Sequence, residues 1–177
     1  MNANKLYVQI IGNRPVEKFL QRFFIIDEIP QNLIIVSPII CTLQQTRYSI
    51  IKLIEKITRD KIITYVITRE PEELFHKEAI NILYQSDFVE IRYNNSLHAK
   101  LYISAYQNEY ISFALLGSAN LTRHSIEKNI EIGIMIFRCG TGRNLWDELF
   151  QWGLVRLRTL PESKLVKKIK KGGKNGI

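Results

Sequence analysis

The sequence predicts an α/β protein with a mixed central β-sheet flanked by helices on both faces. Strand and helix patterns alternate over the first half of the 177-residue chain, which favours parallel strands joined by helices. The apolar run at residues 33–36 (Leu-Ile-Ile-Val) is typical of a strand buried on both faces. Residues 88–118 hold strand patterns with no helix between them, so antiparallel pairs are expected there.

The first half predicts six alternating elements. Strands are expected at residues 6–12, 32–40 and 61–68, and helices at 15–24, 43–58 and 71–84. The first helix begins with Pro15, and the third opens with Pro71, Glu72 and Glu73, which are residues suited to a first helical turn. The second helix has apolar residues at helical spacing, namely Ile50, Leu53, Ile54 and Ile57.

The second half is richer in strands. Strand patterns occur at residues 89–93, around His98, at 110–116 and at 130–137, and a last helix is expected at about 144–156. We expect one domain over residues 1–160, followed by a basic tail over 161–177. A chain of this length can bury a sizeable core.

Composition excludes several classes of protein. No apolar run approaches the roughly 20 residues that cross a bilayer, and the polar start of the chain does not resemble a signal peptide. We therefore expect a cytoplasmic protein. Cys41 and Cys139 fit no metal-ligand spacing, and we expect two reduced thiols in or near the core.

The net charge of +8 is concentrated at the C-terminus. Six lysines lie in the tail and leave only +2 for residues 1–163; they are Lys164, Lys167, Lys168, Lys170, Lys171 and Lys174. We expect a frayed terminus. It could bind phosphate backbones without regard to sequence, or it could be a solvated tail that aids solubility.

Two short motifs place phosphate-binding groups near each other. His98 and Lys100 are two residues apart, so on a strand they point to one side and Ala99 points to the other. The apolar run 111–116 ends at Gly117-Ser118, and the next stretch, Ala119-Asn120-Leu121-Thr122, predicts a strand-to-helix turn or the first turn of a helix. Backbone N–H groups at such a turn can bind an anion.

These motifs, with Asn129-Ile130-Glu131-Ile132-Gly133, resemble the nuclease branch of the phospholipase D superfamily. The family signature is H-x-K, an Asp after four further residues, and then G-S-x-x-N or a near variant. The resemblance covers about residues 93–137. The Asp position holds Ala105, which we interpret as a trait of a subfamily.

The resemblance implies a mixed sheet flanked by helices and a metal-independent phosphodiesterase that needs no cofactor. His98 would be the nucleophile or the acid, and Lys100 and Asn120 would bind phosphate. Ser118 would help to orient the site, and Glu131 would orient the His98 ring. In this family one His forms a phosphohistidine, and a His from a second H-x-K motif protonates the leaving group.

The chain contains only one H-x-K motif, because His76 and His124 lack the following Lys. Two copies of the chain must then supply the two histidines. A homodimer with its twofold axis through the active site meets this need, and the short members of the family are dimers of this kind.

Other candidate residues have two interpretations each. Arg123 could contact a phosphate, and His124 could reach substrate or be an exposed helix residue. Four tyrosines near the site strands could stack on bases or pack in the core or the dimer interface; they are Tyr93, Tyr102, Tyr106 and Tyr110.

Three functions remain open from the sequence. The favoured one is a nuclease acting on DNA or RNA. The second is a lipid phosphodiesterase, for which the stretch 165–171 is weakly amphipathic. The third is a nucleic-acid-binding module that is inactive until a partner assembles with it. The resemblance associates such small proteins with restriction and antiphage systems, a translocase-type ATPase partner and higher-order assembly.

Overall fold

The computed structural model describes residues 7–170, and one mixed sheet organises them. Its strands are β1 (Val8–Ile11), β2 (Asn32–Val36), β3 (Ile63–Thr68), β4 (Val89–Tyr93), β5 (Leu101–Ala105), β6 (Phe113–Gly117), β7 (Gly133–Phe137) and β8 (Lys164–Lys167). The helices are α1 (Pro15–Ile25), α2 (Ile50–Arg59), α3 (Leu74–Tyr84), α4 (Arg123–Glu127) and α5 (Arg143–Gln151). A π-helical turn, Trp152–Arg156, and a short turn of α-helix, Leu157–Thr159, continue α5.

The strand order in the sheet is β1-β7-β6-β5-β2-β3-β4-β8. The pairs β2–β3 and β3–β4 are parallel, and every other pair in that order is antiparallel. The parallel pairs come from the alternating first half, and the antiparallel pair β5–β6 comes from the segment without helices. The predicted fold class is confirmed.

Helices cover both faces of the sheet because alternate residues of the central strands face two separate cores. Leu33 and Ile35 of β2 pack on the side of helices α1 to α4. Ile34 and Val36 pack on the other side, with Trp146 of α5 and Leu157. This two-sided burial explains the continuous apolar run that the sequence shows at β2.

Three predicted helices have different bounds in the structure. The predicted helix 43–58 begins only at Ile50, because Leu43 and Gln45 have left-handed φ angles of 52° and 65°. The Ser49 hydroxyl caps the helix by accepting the Lys52 N–H at 3.3 Å. Helix α3 begins at Leu74, after the predicted Pro71-Glu72-Glu73 turn. The last helix changes to π-helical geometry at Trp152, where the buried Gly153 packs against Ile34.

The prediction that His98 lies on a strand is wrong. Strand β5 begins at Leu101, and residues 94–100 form a turn and an extended segment before it. The strands predicted at 110–116 and 130–137 also begin later, at Phe113 and Gly133, and Glu109–Ile111 is a 3₁₀ turn.

The basic tail is partly structured, contrary to the expectation of a frayed terminus. Lys164–Lys167 is the edge strand β8, paired with β4. The Lys167 ammonium donates to the Val89 carbonyl at 3.1 Å, and Lys170 pairs with Asp87 at 2.9 Å. The expectation for Lys171 and Lys174 lies outside the described residues. The domain boundary after residue 160 stays a prediction.

Two further expectations concern the whole chain. Cys139 is buried, Cys41 is half-buried, and neither thiol is in a disulfide. Among residues 7–170, no helix is both long enough and apolar enough to cross a membrane.

Candidate active site

The candidate residues meet at one edge of the sheet because β5 runs antiparallel to both β2 and β6. The start of β5 therefore adjoins the ends of β2 and β6 and the start of β7. The cross-strand pairs Val36–Leu101, Leu101–Leu116 and Gly117–Gly133 set this register. His98 and Lys100 precede β5, Ser118 and Asn120 follow β6, and Glu131 precedes β7.

A tight turn positions His98 just before β5. The buried Asn94 closes this turn, since its carbonyl accepts the Leu97 N–H at 3.1 Å and its side-chain oxygen accepts the Ser96 N–H at 3.0 Å. From the end of β3, the Arg69 guanidinium donates to the Leu97 carbonyl at 2.8 Å. The backbone next to His98 is thus fixed by side chains that the motif does not include.

The His98 ring is exposed and makes no hydrogen bond within residues 7–170. Lys100 is close to it, because its ammonium donates to the His98 carbonyl at 2.8 Å. The Lys100 carbonyl in turn accepts the Gly117 N–H at 3.2 Å, which joins the two motifs directly. Ala99 packs against the α5-side core, so the backbone between them is anchored.

Glu131 contacts Ser118 and Asn129. The Ser118 hydroxyl donates to one carboxylate oxygen, and the Asn129 side chain donates to the other at 3.2 Å. Two further hydrogen bonds link the same segments. The Ser118 N–H donates to the Ile132 carbonyl at 3.0 Å, and the Ile132 N–H donates to the Ser118 side-chain hydroxyl at 3.2 Å. Within one protomer Glu131 makes no hydrogen bond to His98, so its expected role as orienter of that ring stays a prediction.

Tyr102 stabilises the turn after β6. Its buried hydroxyl donates to the Ala119 carbonyl at 2.8 Å. Burial raises the pKa of Tyr102, and the negative charge of nearby Glu131 raises it further, so the hydroxyl stays protonated and able to donate. The hydroxyl of buried Ser37, just past β2, accepts the Leu121 N–H at 3.0 Å.

Most N–H groups of this turn already have acceptors. Those of Gly117, Ser118, Leu121, Thr122 and Arg123 are hydrogen-bonded. In the described structure the N–H groups of Ala119 and Asn120 are left without a bond, so an anion can be bound there by only part of the turn. The turn joins a strand to helix α4, which confirms the first of the two geometries expected from the sequence.

Asn120 has a buried side-chain oxygen with no hydrogen-bond partner among residues 7–170. A buried acceptor left unpaired costs about 1–3 kcal/mol. Such atoms point to a donor that arrives from outside the chain, from water or from a ligand.

Ala105 lies at the far end of β5 from the motif. It is the last residue of that strand and is packed in the α5-side core. Four residues lie between Ala105 and Lys100, which is a distance of about 16 Å for five steps at the usual rise per residue of a strand. An Asp at this position would therefore not reach a phosphate held by Lys100, and the departure from the family signature leaves the site's own groups intact.

The remaining candidates fall into three locations. Arg123 is exposed on α4, where it pairs with Glu127 at 2.6 Å and donates to the Gln45 side chain at 3.2 Å. His124 is exposed beside it on α4 and lines the same pocket as Asn120, so both interpretations of His124 stay open. His76 lies on α3 with its ring buried, and its Nε2 is 3.0 Å from the Thr68 hydroxyl oxygen. We therefore interpret His76 as a structural residue and not as a ligand. Of the four tyrosines, Tyr102 and Tyr106 are core residues, Tyr93 is half-buried and Tyr110 is exposed.

The motifs do not include four residues that build the site, namely Ser37, Arg69, Asn94 and, in its hydrogen-bonding role, Tyr102. The Asn94-Asn95-Ser96 run, typical of a turn, could have located the break before β5. The contacts of Ser37 and Arg69 join segments far apart in sequence, and no local pattern reports them. Within residues 7–170 no group of three His, Cys, Asp or Glu side chains could hold a metal ion.

Comparison with known proteins agrees with this geometry. The sequence profile described as "Cardiolipin synthase, PLD-like domain" matches residues 25–150. No curated protein sequence matches the chain.

Several solved structures share the fold. The phospholipase D family member Nuc from Salmonella typhimurium superposes with a TM-score of 0.66 at 14% identity, over 91% of this chain and 98% of that one. NucT from Helicobacter pylori gives a TM-score of 0.62 at 12% identity, over 90% and 98%. Polyphosphate kinase from Porphyromonas gingivalis gives 0.56 at 14% identity, over 86% of this chain but only 27% of the kinase.

Proposed function

Because the chain belongs to the phospholipase D-like family, we propose that it cleaves phosphodiester bonds in nucleic acid without a metal ion. One observation carries the proposal. At one end of the sheet, the exposed His98 ring has no hydrogen-bond partner in the described structure and the Lys100 ammonium is bonded to the His98 carbonyl just before β5, while the Asn120 side chain, whose NH2 group can donate to a phosphate, follows the neighbouring strand β6. These groups supply a nucleophile, a positive charge and polar contacts for one phosphate.

The reaction has two steps. A ring nitrogen of His98 attacks phosphorus and forms an N–P bond, while the P–O bond to the leaving group breaks. The His98 of a second copy gives its proton to the leaving oxygen. Water then attacks phosphorus and gives a proton to that second His98. The N–P bond breaks, and a phosphate monoester is released.

The other site residues stabilise charge and fix geometry. Lys100 and the Asn120 amide hold the non-bridging oxygens, where negative charge develops as phosphorus becomes five-coordinate. Ser118 and Glu131 hold the turn after β6 against the start of β7, so that Asn120 stays aimed at the phosphate. Arg123 binds a neighbouring phosphate of the substrate.

The second copy is required because each chain supplies one His98. Exposed apolar side chains beside the site support this homodimer. Ile130 is fully exposed and Ile132 is 57% exposed, on either side of Glu131. Ile10 and Ile134 lie directly opposite each other on β1 and β7 and are 74% and 38% exposed. Apolar groups that cluster at a surface favour burial against a partner.

The structure of the C-terminal segment favours nucleic acid over lipid as the substrate. The stretch with weak amphipathic character begins in an edge strand, and Lys167 and Lys170 are bound to protein groups rather than displayed on one face of a helix. DNA is the first substrate to test, followed by RNA.

Incubation with supercoiled plasmid and single-stranded DNA in EDTA tests this function. Wild type is expected to cut, and His98→Ala is expected to lose at least a thousandfold in rate. Ser96→Ala, an exposed neighbour on the same turn, serves as control and keeps full activity. Failure of wild type to cut any nucleic acid in EDTA, or full activity of His98→Ala, would contradict the proposal.

The resemblance also suggests a cellular setting. A role in restriction or antiphage defence, a translocase-type ATPase partner, assembly beyond the dimer and a cytoplasmic location stay predictions. Co-purification with a candidate ATPase, followed by the same nuclease assay, tests the partner.

A further inference from the structure

A pocket of about 480 Å³ opens beside the candidate active site and shares Asn120 with it. Its walls come from the segment after β2, the start of α3 and helix α4. The residues that matter here are Thr42, Leu43, Gln44, Phe75, Asn120 and Asn129. A cavity of this volume is in the range that small molecules occupy in proteins.

The wall formed by residues 41–45 is held in one position. The Cys41 N–H donates to the Leu121 carbonyl at 3.0 Å, the Arg123 N–H donates to the Cys41 sulfur at 3.1 Å, and the Arg123 guanidinium donates to the Gln45 side chain at 3.2 Å. Leu43 and Gln45 adopt left-handed φ angles, which cost energy for residues other than glycine. Such a backbone persists only where its surroundings fix it, and it gives the pocket a preformed wall.

The lining suits a flat ring with polar edges. Phe75 is 44% exposed and offers a ring for stacking, and buried Leu43 adds an apolar surface. Thr42, Gln44 and Asn129 place donors and acceptors around these apolar groups. An acyl chain would leave those polar groups unpaired, whereas a nucleobase would bond with them through its edges.

We propose that this pocket binds one unpaired nucleobase, that of the nucleotide next to the scissile phosphate. The inference rests on the proposed function and adds which form of nucleic acid is the substrate. Because the pocket and the phosphate site share Asn120, a base seated in the pocket places the adjoining phosphate beside Lys100 and His98. A base paired in a duplex cannot enter, so the enzyme selects single-stranded or locally unpaired nucleic acid.

Variants of Phe75 test the pocket. Stacking of one base on an aromatic ring contributes about 1–3 kcal/mol, so Phe75→Ala should lower kcat/KM on a single-stranded oligonucleotide by about 10-fold or more. Phe75→Trp keeps a ring and should retain activity. Leu74→Ala is the matched control, because Leu74 is 72% exposed on the same turn of α3 and does not line the pocket.

Two substrates separate this inference from the proposed function. An oligomer made only of abasic tetrahydrofuran residues carries phosphodiesters and no aromatic ring, and all three variants should hydrolyse it within twofold of the wild-type rate. In oligonucleotides with a single abasic residue, cleavage at the phosphate next to that residue should fall by about the same factor as Phe75→Ala causes on normal DNA.

The outcomes are distinct. If wild type cuts both substrates and Phe75→Ala is normal on DNA, the pocket assignment is wrong. An equal loss on the fully abasic oligomer would also overturn it, because the variant would then have damaged the phosphate site itself. Hydrolysis of phosphatidylethanolamine vesicles that depends on Phe75 and exceeds DNA cleavage would assign the pocket to lipid. Absence of activity on every substrate would instead refute the proposed function.

Discussion

The His98 ring differs from the neighbouring side chains in making no hydrogen bond within the described chain. Lys100 is bonded to the His98 carbonyl, and Glu131 is bonded to both Ser118 and Asn129. The chemistry therefore depends on a side chain whose immediate backbone is fixed while its ring is available for a substrate and a second copy. Arg69 and Asn94 supply that fixation.

Lys100→Met removes a charge and keeps the length of the side chain. Since Lys100 is proposed to stabilise the charge that develops on the phosphate, kcat on DNA in EDTA should fall by about 100- to 1000-fold. The exposed Lys77 on α3 has no ion pair in the described structure, and Lys77→Met is the matched control. If the kcat of Lys100→Met fell by less than about threefold, Lys100 would have no part in the reaction.

His76 makes folding stability depend on pH. Burial lowers the pKa of His76 to about 4, from about 6.5 in an unfolded chain. The folded state holds the neutral ring, so the unfolded state binds more protons as pH falls. Stability is fully present above about pH 6.5 and is lost progressively as pH falls toward 4.

Urea unfolding of wild type and His76→Gln at pH 7.5 and 4.5 measures this effect. Wild type should lose about 2–3 kcal/mol more between the two pH values than the variant does. Equal losses in the two proteins would show that His76 does not carry the pH dependence. Comparison with the variant cancels the contributions of the carboxylates that titrate in the same range.

Among the elements, the pair β6–β7 holds the two halves of the site together. Gly117 ends β6 and Gly133 begins β7, and the two are cross-strand partners. A Cβ atom at Gly117 would lie 2.4 Å from the Ile132 carbonyl oxygen and 2.8 Å from the Gly133 Cα atom, both of them backbone. Glycine is required here because the strands approach closely next to Ser118 and Glu131.

Gly117→Ala should therefore destabilise the protein by about 3 kcal/mol and reduce DNA cleavage, because the two strands must separate. Gly12→Ala is the control, since a Cβ atom there would contact nothing within 4 Å. Urea unfolding and the nuclease assay report the two effects. If Gly117→Ala had the same free energy of unfolding as wild type, this result would contradict the close approach of β6 and β7.

The elements also show what the sequence could predict. Hydrophobic periodicity located the strands and helices of the sheet core, because residues 33–36 and the stripe of α1 reflect burial directly. The same periodicity wrongly extended α2 back to residue 43. Leu43 is buried, as an apolar residue of a helix would be, but it lies in a loop. The periodicity also placed His98 on a strand, although Asn94 ends the extended pattern with a turn.

The motif predicted which residues lie near one another, although their roles stay predictions, and it gave no sign of the places where distant segments meet. His98, Lys100, Ser118, Asn120 and Glu131 do lie at one sheet edge. The bridge between Ile40 and Leu121 brings the segment after β2 to the turn after β6, and it creates the pocket that contains Phe75. Such pairing follows from the strand order, and no short motif encodes it.

At the scale of the whole molecule, the account requires two chains for each active site. The exposed isoleucines near Glu131 and the single H-x-K motif both favour a twofold dimer. In the proposed dimer one His98 would attack phosphorus and the other would protonate the leaving oxygen. Loss of either one should then stop cleavage, because the two histidines act on the same phosphate.

The activity of a purified heterodimer with one wild-type chain and one His98→Ala chain tests this claim most directly. The two chains carry different affinity tags, so that tandem purification isolates the mixed species, and a wild-type dimer bearing both tags is the control. With DNA in EDTA, the account predicts that the heterodimer is as inactive as the His98→Ala homodimer. A heterodimer that keeps about half of the wild-type rate would contradict it, because each chain would then carry a complete site.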